Sequence, residues 1–135
     1  MKEVFRLLVL AGFIGLAALP LLAHHSFSAD YDASKTFTLH GTVTRVDWMN
    51  PHVRFFMDVK DQTGKTTNWA FELGSPNALM RSGWSRNSLK IGDEITVQGC
   101  RAKDNSNRGN ATSILSSDGK ILLSGFSSGQ PLIAR

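Results

Sequence analysis

Residues 52–60 (HVRFFMDVK), 61–65 (DQTGK) and 66–73 (TTNWAFEL) decide the fold. Successive side chains of a strand point to opposite faces. In the first segment Val53, Phe55, Met57 and Val59 therefore share one face, and in the last Thr67, Trp69, Phe71 and Leu73 do. The five residues between them carry Gly64 near their end, a hairpin loop pattern. Folding the two segments about that loop sets Phe55 against Phe71 and Met57 against Trp69. On the other face Arg54 meets Glu72 and Asp58 meets Asn68. A slip of one residue would lose both the apolar match and the charge match, so the register is strongly specified.

Upstream, residues 36–48 alternate as well. Phe37, Leu39, Gly41 and Val43 lie on one face and Thr38, His40, Thr42 and Thr44 on the other. The phase then changes, since Val46 and Trp48 are apolar, and a phase change inside a long strand predicts a bulge. Asn50-Pro51 ends that strand with turn chemistry. Downstream, Ser75-Pro76 predicts a short helix with serine as N-cap and proline in its first turn. Leu79 and Met80 supply its apolar contacts and Gly83 its stop. Residues 94–102 form a strand with Ile95 and Val97 inward, 104–109 a loop, and 110–116 and 120–126 two strands around the Asp118-Gly119 turn. The order is long bent strand, strand, strand, helix, strand, strand and a terminal extension. It predicts an all-β fold with one short helix, a small OB-like barrel of five to six strands in Greek-key order. A β-sandwich is the alternative, and it wants more strands at even spacing.

The N-terminus carries a different signal. Lys2 and Arg6 precede the unbroken apolar run 7–19, then come Pro20 and a cleavage region ending at Ala23. That order is a secretory signal peptide. Leu7 to Ala23 is 17 residues, short of the roughly 20 that span a bilayer. The expected organisation is signal peptide 1–23, extended arm 24–35, barrel 36–126 and tail 127–135, with a periplasmic or secreted product that has no membrane span. Removing 23 of 135 residues leaves 112, enough for one core. Without Lys2, Arg6 and Glu3 the product holds 13 basic and 10 acidic residues, a net +3 in which no two basic residues adjoin. Such a surface argues against a nucleic-acid partner. The single cysteine, Cys100, cannot form an internal disulfide and reads as a small buried apolar side chain.

His24-His25-Ser26-Phe27, Trp48-Met49-Asn50-Pro51-His52, Asn68-Trp69-Ala70-Phe71-Glu72-Leu73-Gly74-Ser75-Pro76-Asn77, Gly83-Trp84 and Gly92-Asp93 together resemble a family of small exported bacterial proteins catalogued only as a domain of unknown function. The resemblance covers nearly all of residues 24–126. It implies export and a compact β domain, and no activity.

All four histidines, His24, His25, His40 and His52, lie in the first half of the chain. Cleavage after Ala23 makes His24 the N-terminal residue, whose amine and imidazole form a two-nitrogen chelate. His40 or His52 would supply a third nitrogen, since an extended twelve-residue arm reaches about 40 Å. Nitrogen ligands of this kind favour copper over zinc. The tripeptide copper site with histidine at position three is absent, because Ser26 stands there. Against the metal stands the ordinary reading of scattered surface histidines. Trp48, Asn50, His52 and Trp84 are candidate ligand contacts, while Trp69 belongs to the core. Glu72 reads as the partner of Arg54 in a structural ion pair before it reads as a base. No nucleophile elbow, acidic pair or phosphate loop is present. The leading expectation is a non-enzymatic exported binding or accessory protein for a small molecule, a metal or a periplasmic protein. A copper-binding protein is the alternative, and an enzyme of unrecognised type a weaker one.

Overall fold

The computed structural model describes residues 27–124, and in it the hairpin has the expected register. Strand β2 (Arg54–Lys60) pairs antiparallel with β3 (Thr66–Glu72), with Phe55 opposite Phe71, Met57 opposite Trp69, Arg54 opposite Glu72 and Asp58 opposite Asn68. The loop between them closes on Asp61. Its carboxylate accepts from the backbone of Thr63 and Lys65, and Gly64 takes a positive φ of 86° that a side chain would strain. Phe55, Met57 and Phe71 are fully buried, and the Phe55 and Phe71 rings stack 5.0 Å apart.

Strand β1 (Tyr31–Asp47) is long enough to pair with two neighbours, β2 along its second half and β4 (Glu94–Ala102) along its first. The expected bulge lies between Val43 and Arg45 and returns Val46 to the core side. At Gly41 the strand faces Val59 on one side and Ile95 on the other, and a Cβ there would stand 2.1 Å from the Asp58 carbonyl oxygen. The strand can curve between its two partners only because that atom is missing.

The first strand starts at Tyr31, five residues before the expected position 36. Tyr31 pairs with Ala102 and is buried beside Cys100, Ala102 and Phe27. The polar residues 32–35, which read as arm, are a bulge inside the strand, where Asp32 accepts from the Ser34 backbone and hydroxyl. Residues 27–30 are helical, and the Lys103 backbone N–H donates to the Asp30 carbonyl, tying this turn to the end of β4.

Helix α1 (Pro76–Arg81) begins as expected. Ser75 is the N-cap, its Oγ accepting from the Ala78 N–H, and Gly83 follows the C-cap with a positive φ. Leu79 is fully buried, but Met80 is exposed: a helix of six residues presents too narrow a face to bury both. Strand β5 (Arg108–Ser116) starts two residues earlier than the expected 110, so the preceding loop ends at Asn107. Strand β6 (Ile121–Ser124) completes the hairpin about Gly119.

The sheet runs β3-β2-β1-β4-β5-β6, and a parallel pairing of β3 with β5 closes the first five strands into a ring. That is the order of an OB-like Greek-key barrel with a sixth strand added. Its core joins Val43, Phe55, Met57, Trp69, Phe71, Ile95, Val97 and Ile114, with Leu79, Trp84 and Leu89 beside them. No helix among the described residues is long and apolar enough to cross a membrane. The signal segment 1–23, His24, His25 and the tail 127–135 lie outside the described residues.

Candidate functional site

The outer face of the hairpin carries a depression, and its origin is a size alternation across three strands. Ala70 of β3 lies between Phe56 of β2 and Arg108 of β5, a large, a small and a large residue in one row. The next row sets Arg54 beside Glu72. Tyr31 adds a wall from the start of β1. Together with Phe71 these six residues line a half-open cleft of about 180 Å³. It lies on the β2–β3 side near the β4–β5 loop, where OB-type barrels place their ligands.

Each polar group of the cleft is positioned by a neighbour. Both oxygens of the Glu72 carboxylate are engaged: Oε1 lies 2.9 Å from His52 Nδ1 and Oε2 3.6 Å from Arg54 Nη2. The Glu72 side chain is 14 % exposed and that of Arg54 57 %, so the carboxylate is the sheltered member of the pair. This is the ion pair the register predicted, with His52 as a third member. On the opposite wall Arg108 donates from Nη2 to Asp104 Oδ2 at 2.7 Å and from Nε to Ser106 Oγ at 3.1 Å. Hydrogen bonds from Ser106, and then from Arg108, hold the Asp104 carboxyl well below the usual carboxylate range. The Arg45 guanidinium lies over the face of the Phe56 ring, 3.6 Å from its centre.

Tyr31 is 6 % exposed. Burial, and then the nearby Glu72 charge, push its phenol far above the ordinary value of 10.0. Its ring packs on Phe27 at 5.6 Å. Among the described residues no group forms a hydrogen bond with its hydroxyl. A phenol so shifted stays protonated at neutral pH, and Tyr31 is one of the residues lining the cleft.

The residues singled out by the sequence separate into distinct places. His52 stands behind the cleft on Glu72. His40 is exposed on β1, its Nδ1 3.3 Å from Thr96 Oγ1. Among the described residues no three of His, Cys, Asp and Glu converge as a metal cluster. Asn50 is exposed in the turn after β1. Trp84 is buried, and its indole N–H donates to the Leu122 carbonyl at 2.7 Å. Trp48 packs partly against the core, its carbonyl accepting from Arg86. The crevice between Trp48 and Trp84 has no space for even a water-sized molecule. Cys100 is buried under Tyr31 and Phe27, and burial raises its thiol pKa.

Tyr31, Phe56, Ala70 and Arg108 were missed as site residues. Two left signals in the sequence. Phe56 is an aromatic on the polar side of an otherwise clean alternation, and Tyr31 is the only tyrosine of the chain, set in a polar stretch. Nothing local marks Arg108.

Fold and cleft define a small all-β barrel with a polar depression on its outer face. Residues 13–112 match the model of DUF6152, described as a family of unknown function, and the chain belongs to that family. No curated protein and no solved structure matches it.

Proposed function

We propose that the chain is exported, loses residues 1–23 and acts outside the cytoplasm as a non-enzymatic binding or accessory module, with a small ligand held in the cleft over Ala70. The observation that carries this is the cleft itself: charged and hydroxyl groups from β1, β2, β3 and β5 converge on a concave floor. The export half rests on the order of the first 23 residues. Intact mass of protein recovered from the cell envelope tests it, and a retained 1–23 segment would end that half. The binding half is tested by amide NMR with a fragment library, on wild type and on Ala70→Leu, which fills the floor. Ligands that shift the Ala70, Glu72 and Arg108 amides of the wild type and leave the variant unmoved support the reading. No such ligand, or equal shifts in both proteins, defeats it.

A second reading, Cu(II) coordination by the His24 amine and imidazole with His52, is favoured by one feature. Metal-bound histidines commonly donate their second ring N–H to a carboxylate. His52 Nδ1 stands 2.9 Å from Glu72, which leaves Nε2 for a metal. By this argument His52 is preferred to His40. His52→Ala should weaken Cu(II) binding by envelope-recovered protein and His40→Ala should not. Equal behaviour of the two variants removes the reading.

A further inference from the structure

We propose that the cleft over Ala70 binds a small organic carboxylate with an apolar body, its anionic end held by Arg54, Arg108 and the Tyr31 hydroxyl. This deepens the binding reading above and rests on it.

Glu72 is the acidic residue lining the cleft, with His52 on one of its oxygens at 2.9 Å and the Arg54 guanidinium facing the other at 3.6 Å. Asp104, beside the rim, is likewise occupied: Ser106 donates twice to Oδ1, and Arg108 holds Oδ2. Glu72 Oε1 and both Asp104 oxygens are therefore taken, and Glu72 Oε2 faces the Arg54 guanidinium.

The donors are in surplus. A guanidinium carries five N–H groups. Arg54 makes one ion pair among the described residues, at 3.6 Å, longer than a hydrogen bond. Arg108 commits Nε and one Nη2 hydrogen, leaving its Nη1 group. The Tyr31 O–H adds another donor. A ligand that satisfies such a site must be rich in acceptors, and a carboxylate matches the arginine fork in a plane. The nearby negative charges do not reverse this. Each is compensated by the arginine beside it, so directional donors and not net charge decide the complement.

The floor sets the other end of the ligand. Ala70 and Phe56 are apolar, and they ask for hydrocarbon, not a second polar group. The volume sets the size. About 180 Å³ falls below the roughly 300–1,000 Å³ of clefts that enclose drug-sized molecules, so the fitting ligand is small and partly exposed when bound. Inorganic phosphate offers the anion without the apolar body. A neutral sugar offers hydroxyls without the charge.

The test uses protein purified from cells expressing the full chain, titrated with benzoate, benzamide, inorganic phosphate and glucose, and read at the Ala70, Glu72 and Arg108 amides by NMR. Benzoate should bind at least about tenfold more tightly than benzamide, the value of one charge-assisted hydrogen bond. Arg54→Gln and Arg108→Gln should each weaken benzoate about tenfold, and Tyr31→Phe, which keeps the buried ring, about threefold. Arg86→Gln, on the Trp48 side of the barrel, should leave the affinity unchanged. If benzamide or glucose binds the cleft as tightly as benzoate, the cleft stands and the anion assignment falls. If phosphate binds more tightly than benzoate, the apolar body is wrong. If none of the four shifts a cleft amide, the anion assignment falls, and the cleft reading is decided by the fragment library alone.

Discussion

The two faces of the β2–β3 hairpin have the same backbone and register, and they differ in what surrounds them. The inner face opposes Phe55 to Phe71 and Met57 to Trp69, and the barrel closes over it until these side chains are almost wholly buried. The outer face holds Arg54, Phe56, Ala70 and Glu72, and it acquires its shape only from Tyr31 and Arg108, which lie 39 residues before and 38 after Ala70. The inner face is a stability device that local alternation encodes completely. The outer face becomes a site only when distant strands meet, so its residues are free to serve something other than packing.

The strongest way to break this comparison is to truncate both faces. Phe71→Ala should cost about 3–5 kcal/mol by chemical denaturation, because the residue is fully buried and stacked on Phe55. Phe56→Ala, on the partly exposed outer face, should cost less than half as much. Equal costs would mean that the outer face is core in all but exposure.

Glu72 lies between these cases. As a freely exposed pair, Arg54–Glu72 would contribute at most about 1 kcal/mol. The carboxylate is only 14 % exposed, however, and it holds two partners. Glu72→Ala should therefore cost about 2 kcal/mol, the scale of a sheltered charge-assisted hydrogen bond. Glu72→Gln, which still accepts from His52, should cost less. If both substitutions are silent in urea melts, the His52–Glu72–Arg54 cluster contributes nothing to the fold.

The third effect separates the faces by pH. Tyr31 is the only tyrosine, so phenolate absorbance near 295 nm reports it alone. Its folded pKa is raised above the unfolded value of 10.0, chiefly by burial. The linked stability is fully present below pH 10 and is lost as pH rises toward the folded value, because only the unfolded chain can then release the proton. Native protein should show no phenolate as pH passes through 10, while the urea-unfolded chain titrates there. Tyr31→Phe should flatten this part of the alkaline decline that lysine titration does not cause. A native titration at the unfolded value would place the Tyr31 hydroxyl in open water and remove it from the cleft.

These contrasts explain what was legible in advance. The hairpin register, the bulge after Val43, the Ser75 cap and the strand order all follow from period, turn residues and charge within a few positions. The start of β1 is hidden in the sequence because Asp32-Ala33-Ser34-Lys35 is polar, and polarity alone does not distinguish an arm from a bulged strand. Met80 reads as a core contact because periodicity does not say how wide a six-residue helix face is. Trp84 reads as a ligand contact in the sequence because its partner, the Leu122 carbonyl, is 38 residues away. The cleft was half legible. Arg54, Glu72 and His52 lie close to the hairpin, but Arg108 reaches them only through the parallel β3–β5 pairing, which no local pattern records.

The smallest predicted effect on stability sharpens the comparison most. Arg54 has a largely exposed side chain, and its one ion pair is 3.6 Å long. Coulomb attraction at that exposure is screened and is offset by the entropy of holding a long side chain still. Arg54→Ala should therefore shift the unfolding free energy by no more than about 0.5 kcal/mol. The same substitution removes five N–H donors from the cleft wall, so it should weaken a carboxylate by about tenfold while leaving the melt where it was. A residue that stabilises the barrel acts on both readouts through folding, whereas one that serves the cleft acts on binding alone. If Arg54→Ala lowers stability as much as Glu72→Ala does, the outer face is held together by its charges and the distinction between the two faces of the hairpin collapses.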